Sequence, residues 1–136
     1  MKNKIYCPVC RVHFVFKDQL EPGTEVICQV CGAKLEITEV KEQVSARKAL
    51  QEPEEEIYDR VETYAQLKGY VFDENKEDIM IGLLEKKGRF GDFYCPCRFD
   101  NVPENICPCQ ETRQNAVKKD GSCLCGLFYL PGQVLS

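Results

Sequence analysis

Ten cysteines constrain this chain more than any other feature, because they fall into two blocks separated by 63 residues without one. Cys7, Cys10, Cys28 and Cys31 form the first block; Cys95, Cys97, Cys107, Cys109, Cys123 and Cys125 form the second. A chain of 136 residues without Trp and with few large apolar side chains suits one domain or two small ones. Cores that thin usually depend on disulfides or metals. The start, MKNKIYCPVC, has no apolar h-region, and no apolar run approaches the roughly 20 residues of a membrane span. The expected location is cytoplasmic, where thiols stay reduced and clustered cysteines mean metal or redox chemistry rather than a disulfide framework. A net charge of -4 and a pI near 5.1 argue against a nucleic-acid partner. Neither nucleic acid nor membrane is expected.

The first block reads CPVC, 17 residues, then CQVCG. Each Cys-x2-Cys presents two thiolates to one ion, and two such knuckles complete a tetrahedral S4 site. Gly32 suits a turn that needs positive φ. Zinc and iron both accept this donor set. His13 is superfluous as a ligand, and a surface or packing role is expected. Around the knuckles, Val12, Phe14 and Phe16 alternate, as do Leu35 and Ile37, which predicts short strands. Glu21-Pro22-Gly23 predicts a turn.

Residues 41–52 are charged and nearly without apolar anchors. They read as a solvated linker, helical if it has regular structure. Pro53-Glu54-Glu55-Glu56 is a helix start. Ile57, Val61, Tyr64, Ala65 and the stem of Lys68 make one stripe, and Gly69 a stop. A second helix is predicted from Asn75, as cap, to Lys87, with Ile79, Met80, Leu83 and Leu84 buried and Gly88 ending it. Both stripes read as core packing.

The second block is three Cys-x-Cys pairs: Cys95-Pro96-Cys97, Cys107-Pro108-Cys109 and Cys123-Leu124-Cys125. In extended backbone, residues i and i+2 point to the same side, and Pro96 and Pro108 bias the preceding cysteine to that geometry. Disulfides within such a tripeptide would be strained. If one [4Fe–4S] cluster takes four thiolates, two sulfurs remain, each tied to a ligand through one residue. Sulfurs left over from different pairs can join as a disulfide beside the iron. Two spectator thiols, or a dinuclear zinc site, are the plainer alternatives.

At these residues the sequence resembles the catalytic chain of ferredoxin:thioredoxin reductase. The resemblance runs over about residues 55 to 132, through ETYAQLKGYVFDENKEDIMIGLLEKKGRFGDFYCPCR, then CPC, then CLCGLF. It implies that Cys95, Cys107, Cys109 and Cys123 bind a [4Fe–4S] cluster. It implies that Cys97 and Cys125 form the redox-active disulfide, with Cys97 the exposed attacking thiol and Cys125 next to the cluster. Two departures stand out. The pairs are separated by 9 and 13 residues, unlike the plant-type spacing, and loops absorb such changes. Leu124 stands where the family usually has His, so the proton must come from His13, an acid or solvent. Some microbial relatives, the ferredoxin:disulfide reductases, carry a rubredoxin-like module on this chain. By that likeness iron is favoured at Cys7, Cys10, Cys28 and Cys31, with zinc the alternative.

The expectation is a small α+β protein. A β-rich rubredoxin or zinc-ribbon-like module spans 1–40, a linker 41–52, and a mostly α-helical Fe–S catalytic domain 53–136. The resemblance implies an oxidoreductase that takes electrons from reduced ferredoxin, with the N-terminal centre as relay, and reduces a thioredoxin- or glutaredoxin-like protein. Lys118, Lys119 and Arg98 would lower a thiol pKa or meet an acidic partner, or only solubilise. The competing expectation is a non-enzymatic interaction protein with a structural zinc ribbon.

Overall fold

The computed structural model describes residues 3–16, 19–41, 44–97, 99–123 and 126–131. Five strands come first: β1 Asn3–Tyr6, β2 His13–Phe16, β3 Glu25–Ile27, β4 Lys34–Val40 and β5 Val44–Lys48. They form one sheet in the order β2-β1-β5-β4-β3. Hairpins pair β1 with β2, β3 with β4 and β4 with β5 in antiparallel register, and Ile5 meets Val44 where β1 and β5 run parallel. One face is apolar because the side-chain period is two. Ile5, Phe14, Val26, Leu35, Ile37 and Val44 are buried with the four N-terminal cysteines in one core.

β5 corrects the linker reading of 41–52. Few apolar residues suffice there because β5 lies between β1 and β4, paired along its length with β4 and at Val44 with β1. Only Val44 and Ala49 need to be buried. Arg47 extends to Glu36 across the β4–β5 pair, donating its Nε–H at 3.0 Å, so the charge of this stretch decorates a strand.

Two helices follow, α1 Pro53–Lys68 and α2 Lys76–Phe90. α1 has Pro at its start, three acids in its first turn and Gly69 as a left-handed stop at φ 75°, as its sequence predicts. Ile57, Val61, Tyr64 and Ala65 are buried. α2 runs one turn further than expected. Gly88 lies inside it, and Gly91 (φ 90°) ends it. Asn75 contributes no side-chain cap; instead Asp73 Oδ1 accepts the Asn75 backbone N–H at 2.9 Å. Met80 and Leu83 are fully buried, and Ile79 and Leu84 partly. The rest is mainly loops and short helical turns: a 3-10 turn at Pro103–Asn105, a π-helical turn at Thr112–Ala116, and α3 Val117–Asp120. Leu127 and Phe128 are buried as expected of GLFYL, but the segment joins the fold through single bridges of Tyr129 to Val71 and Ser122.

Sheet and helices pack directly. A Cβ placed on Gly32 would lie 2.8 Å from both the Arg60 carbonyl oxygen and the Tyr64 nitrogen of α1. Ile106 is buried in the sheet's core, with Tyr94 against it. Glu56, at the start of α1, takes Lys48 of β5 at 2.9 Å and Arg60 at 2.5 Å.

Candidate functional site

The two N-terminal knuckles are built alike. Cys7 receives the Arg11 amide on its carbonyl and gives its own to Val12; Cys28 does the same with Gly32 and Ala33. Each knuckle closes on a left-handed residue, Arg11 at φ 62° and Gly32 at φ 82°. These turns bring the four sulfurs within 4.8 Å of one another, all buried. The Cys7–Cys31 and Cys10–Cys28 sulfurs are 3.7 and 3.8 Å apart. Ligands about 2.3 Å from a tetrahedral ion lie about 3.8 Å from each other, so the quartet fits one ion. Hydrogen bonds from Cys10, Cys28 and Cys31 hold the Cys7 thiol far below its ordinary range, while the Cys31 and Cys28 thiols are pushed far above theirs, chiefly by Cys10. A cation would replace the shared protons. His13 is exposed and stacks edge-on against Tyr6 at 5.1 Å between ring centres.

The C-terminal sulfurs divide differently. Cys95, Cys107, Cys109 and Cys123 are buried, and Cys97 is exposed. Burial pushes the Cys107 thiol well up, and neighbouring Cys123, Cys95 and Cys109 add to this, while Arg60 opposes it. Cys107 thus has Cys95, Cys109 and Cys123 as neighbours. Cys123 Sγ accepts the Leu127 and Phe128 amides at 3.2 and 3.3 Å, and Cys109 Sγ lies 3.1 Å from the buried Thr112 hydroxyl. Among the described residues only the N-terminal quartet is tight enough for a single ion; a cubane takes its four thiolates at its corners, further apart. An all-sulfur, buried donor set with amide donors aimed at it fits an iron–sulfur cluster. So does Arg60, 2 % exposed, whose Nε and Nη1 have no hydrogen-bond partner.

Cys97 stands at the surface because the Cys95–Cys97 turn leans on α2. The Pro96 ring packs over Gly82, where a Cβ would come within 2.8 Å of it. Gly82, Glu85, Lys86, Arg89, Phe90 and Pro96 line a groove of about 250 Å³ there. Phe99, two residues past Cys97, is fully exposed. Lys118 and Lys119 are exposed. Cys125, Leu124 and Arg98 lie outside the described residues. Reading the sequence missed Arg60, Glu56 and Gly82. A signal existed for Arg60: it lies three residues after Ile57 and four before Tyr64, within the apolar stripe of α1.

Fold and sites together define a small α+β protein with a ribbon-type metal module joined to a helical, cysteine-rich redox module. Residues 45–134 match the family described as ferredoxin thioredoxin reductase catalytic beta chain, and the chain belongs to that family, which is one of oxidoreductases. Residues 5–51 match the globular domain of the alpha-aminoadipate carrier protein LysW-like zinc ribbons. The two matches overlap at residues 45–51, over most of β5 and the three residues after it. No curated protein matches the chain. No described helix is long and apolar enough to cross a membrane.

Proposed function

We propose that this chain is a ferredoxin-dependent disulfide reductase acting on a thioredoxin- or glutaredoxin-like protein. The observation that carries the reading is the division of the second block: Cys95, Cys107, Cys109 and Cys123 are buried, and Cys97 is exposed two residues after Cys95. A [4Fe–4S] cluster held by Cys95, Cys107, Cys109 and Cys123 supplies one-electron transfer when bound. The Cys97 thiolate attacks one sulfur of the substrate disulfide, and the other substrate sulfur leaves as thiolate. The Cys125 thiolate then attacks Cys97 Sγ, the second substrate sulfur leaves, and a Cys97–Cys125 disulfide remains. Two electrons, one from each of two reduced ferredoxins, with two protons restore the dithiol. Leu124 carries no titratable group, so the protons come from solvent or an acid elsewhere.

The N-terminal quartet holds one ion, and the match to a zinc ribbon supports zinc in a structural role. A second reading, iron as electron relay, draws support from a crevice of about 330 Å³. Cys10, Arg11 and Val12 face Gln110 and Arg113 across it, and Gln110 follows the proposed ligand Cys109.

Anaerobic purification followed by iron, zinc and sulfide analysis tests the proposal, together with ferredoxin-driven reduction of a thioredoxin disulfide. About four irons per chain with matching sulfide are expected. A colourless protein holding zinc and no sulfide would leave the non-enzymatic interaction protein as the answer. Iron beyond the cluster, with a high-spin ferric EPR signal, would establish the relay centre.

A further inference from the structure

We propose that the unpartnered Nε–H and Nη1–H of Arg60 are donors kept for a bound cluster and that Arg60 thereby sets the cluster's reduction potential. This rests on the iron–sulfur reading above. Arg60 is the largest fully buried side chain among the described residues. Its Nη2 is spent on Glu56 at 2.5 Å. Its Nε and Nη1 have no partner, although a buried guanidinium left unsatisfied is costly. Its Cζ lies over the Phe93 ring, 5.4 Å from the centroid. Phe93 is two residues before Cys95, and its carbonyl accepts the Cys107 amide at 2.9 Å.

The charge balance points the same way. Glu56 is the single carboxylate facing two cations, Lys48 and Arg60. Lys48 is partly exposed and shares its charge with water. Arg60 is not, and a surplus positive charge is left in the core around Phe93. A cubane with four thiolate ligands is an anion, and it becomes more negative on reduction. A fixed cation with two N–H donors stabilises the reduced form more than the oxidised one. Arg60 is on this account a positioning and tuning residue; it takes no part in the thiol exchange.

The test uses the full chain, purified anaerobically, with iron and sulfide content and the midpoint potential of the cluster as readouts. Arg60→Met keeps the length of the side chain and removes charge and donors, and Glu56 retains Lys48. Reduction should become about tenfold less favourable, a fall of about 59 mV for one electron. Arg60→Lys should recover part of the shift. Glu56→Gln releases Arg60 from its counter-ion and should move the potential the opposite way, upward. Opposite signs distinguish tuning from a merely structural role. Unchanged potentials in Arg60→Met and Glu56→Gln, or shifts of one sign in both, would overturn the proposal. Should Arg60→Met fail to fold, Glu56→Gln decides: an upward shift supports the role of Arg60 and no shift removes it. A wild-type chain without iron and sulfide brings down the reductase reading itself, whereas a loaded wild type with insensitive variants brings down only Arg60.

Discussion

Gly32 touches the backbone of Arg60: a Cβ at position 32 would lie 2.8 Å from the Arg60 carbonyl oxygen and 2.8 Å from the Tyr64 nitrogen. The second knuckle of the metal quartet thus rests on the middle of α1, whose side chains reach the second cysteine block. Two cysteine sets that look independent in sequence share one helix. Position 32 must be glycine twice over, for φ 82° and for this contact, and neither backbone can yield without moving a site.

Gly32→Ala should therefore cost about 2–4 kcal/mol, combining strain at positive φ with overpacking against backbone. Denaturant unfolding of the metal-loaded protein measures it. A loss below about 1 kcal/mol would mean that the ribbon and α1 separate at little cost.

Removing the N-terminal ion should loosen the ribbon, because four buried thiols at such spacing must share protons without it. Cys10→Ser or Cys28→Ser should lose the stoichiometric ion and lower the melting temperature, while sulfide content, which reports the cluster, stays. Metal analysis beside thermal unfolding checks this. Loss of sulfide in these variants would show that the two centres assemble together.

CPVC and CQVCG foretold a quartet, and the apolar stripes foretold both helices and their buried faces. Three things were not legible. β5 was hidden because it is held mainly by backbone pairing along β4, so Ser45, Ala46 and Arg47 satisfy it without apolar alternation. The Gly91 stop was hidden by Gly88, which the helix tolerates where nothing lies within 4 Å of its missing side chain. Arg60 sat in the stripe at the right period, but a guanidinium there reads as surface until Glu56, Phe93 and the cysteines are placed around it.

The ligand and exchange sulfurs should separate by mutation. Cys95→Ala, Cys107→Ala, Cys109→Ala and Cys123→Ala each remove a buried thiolate, and iron and sulfide should fall sharply, with folding impaired. Cys97→Ser should keep both and lose catalytic disulfide turnover. A Cys97→Ser protein without iron, alongside a Cys95→Ser protein with it, would exchange the two roles within the first pair.

In the reduced protein, Cys97 should be the first sulfur alkylated, since it alone of the described cysteines is exposed and thiol reactivity needs access. Cys125→Ser should trap a mixed disulfide between Cys97 and a thioredoxin-like partner, because the proposed resolving thiol is gone. Peptide mapping that places the label or the trapped partner elsewhere would reassign the attacking thiol.

Gly82 should matter to turnover more than to stability. In the middle of α2 alanine is the better helix former by about 1 kcal/mol, yet a Cβ there meets the Pro96 ring at 2.8 and 3.1 Å. Pro96 joins a proposed cluster ligand to the exposed attacking thiol, so pushing its ring off the helix re-aims Cys97. Misplacement of a reacting atom by about 1 Å can cost up to a hundredfold in rate. Gly82→Ala should accordingly hold its iron and its unfolding midpoint while disulfide turnover drops by about tenfold to a hundredfold. Because Glu85 and Arg89 line the same groove without touching that contact, Glu85→Gln and Arg89→Gln should leave iron content and the alkylation rate of Cys97 as they are. Equal turnover in Gly82→Ala and wild type would show that Pro96 moves freely and that α2 does not aim the attacking thiol.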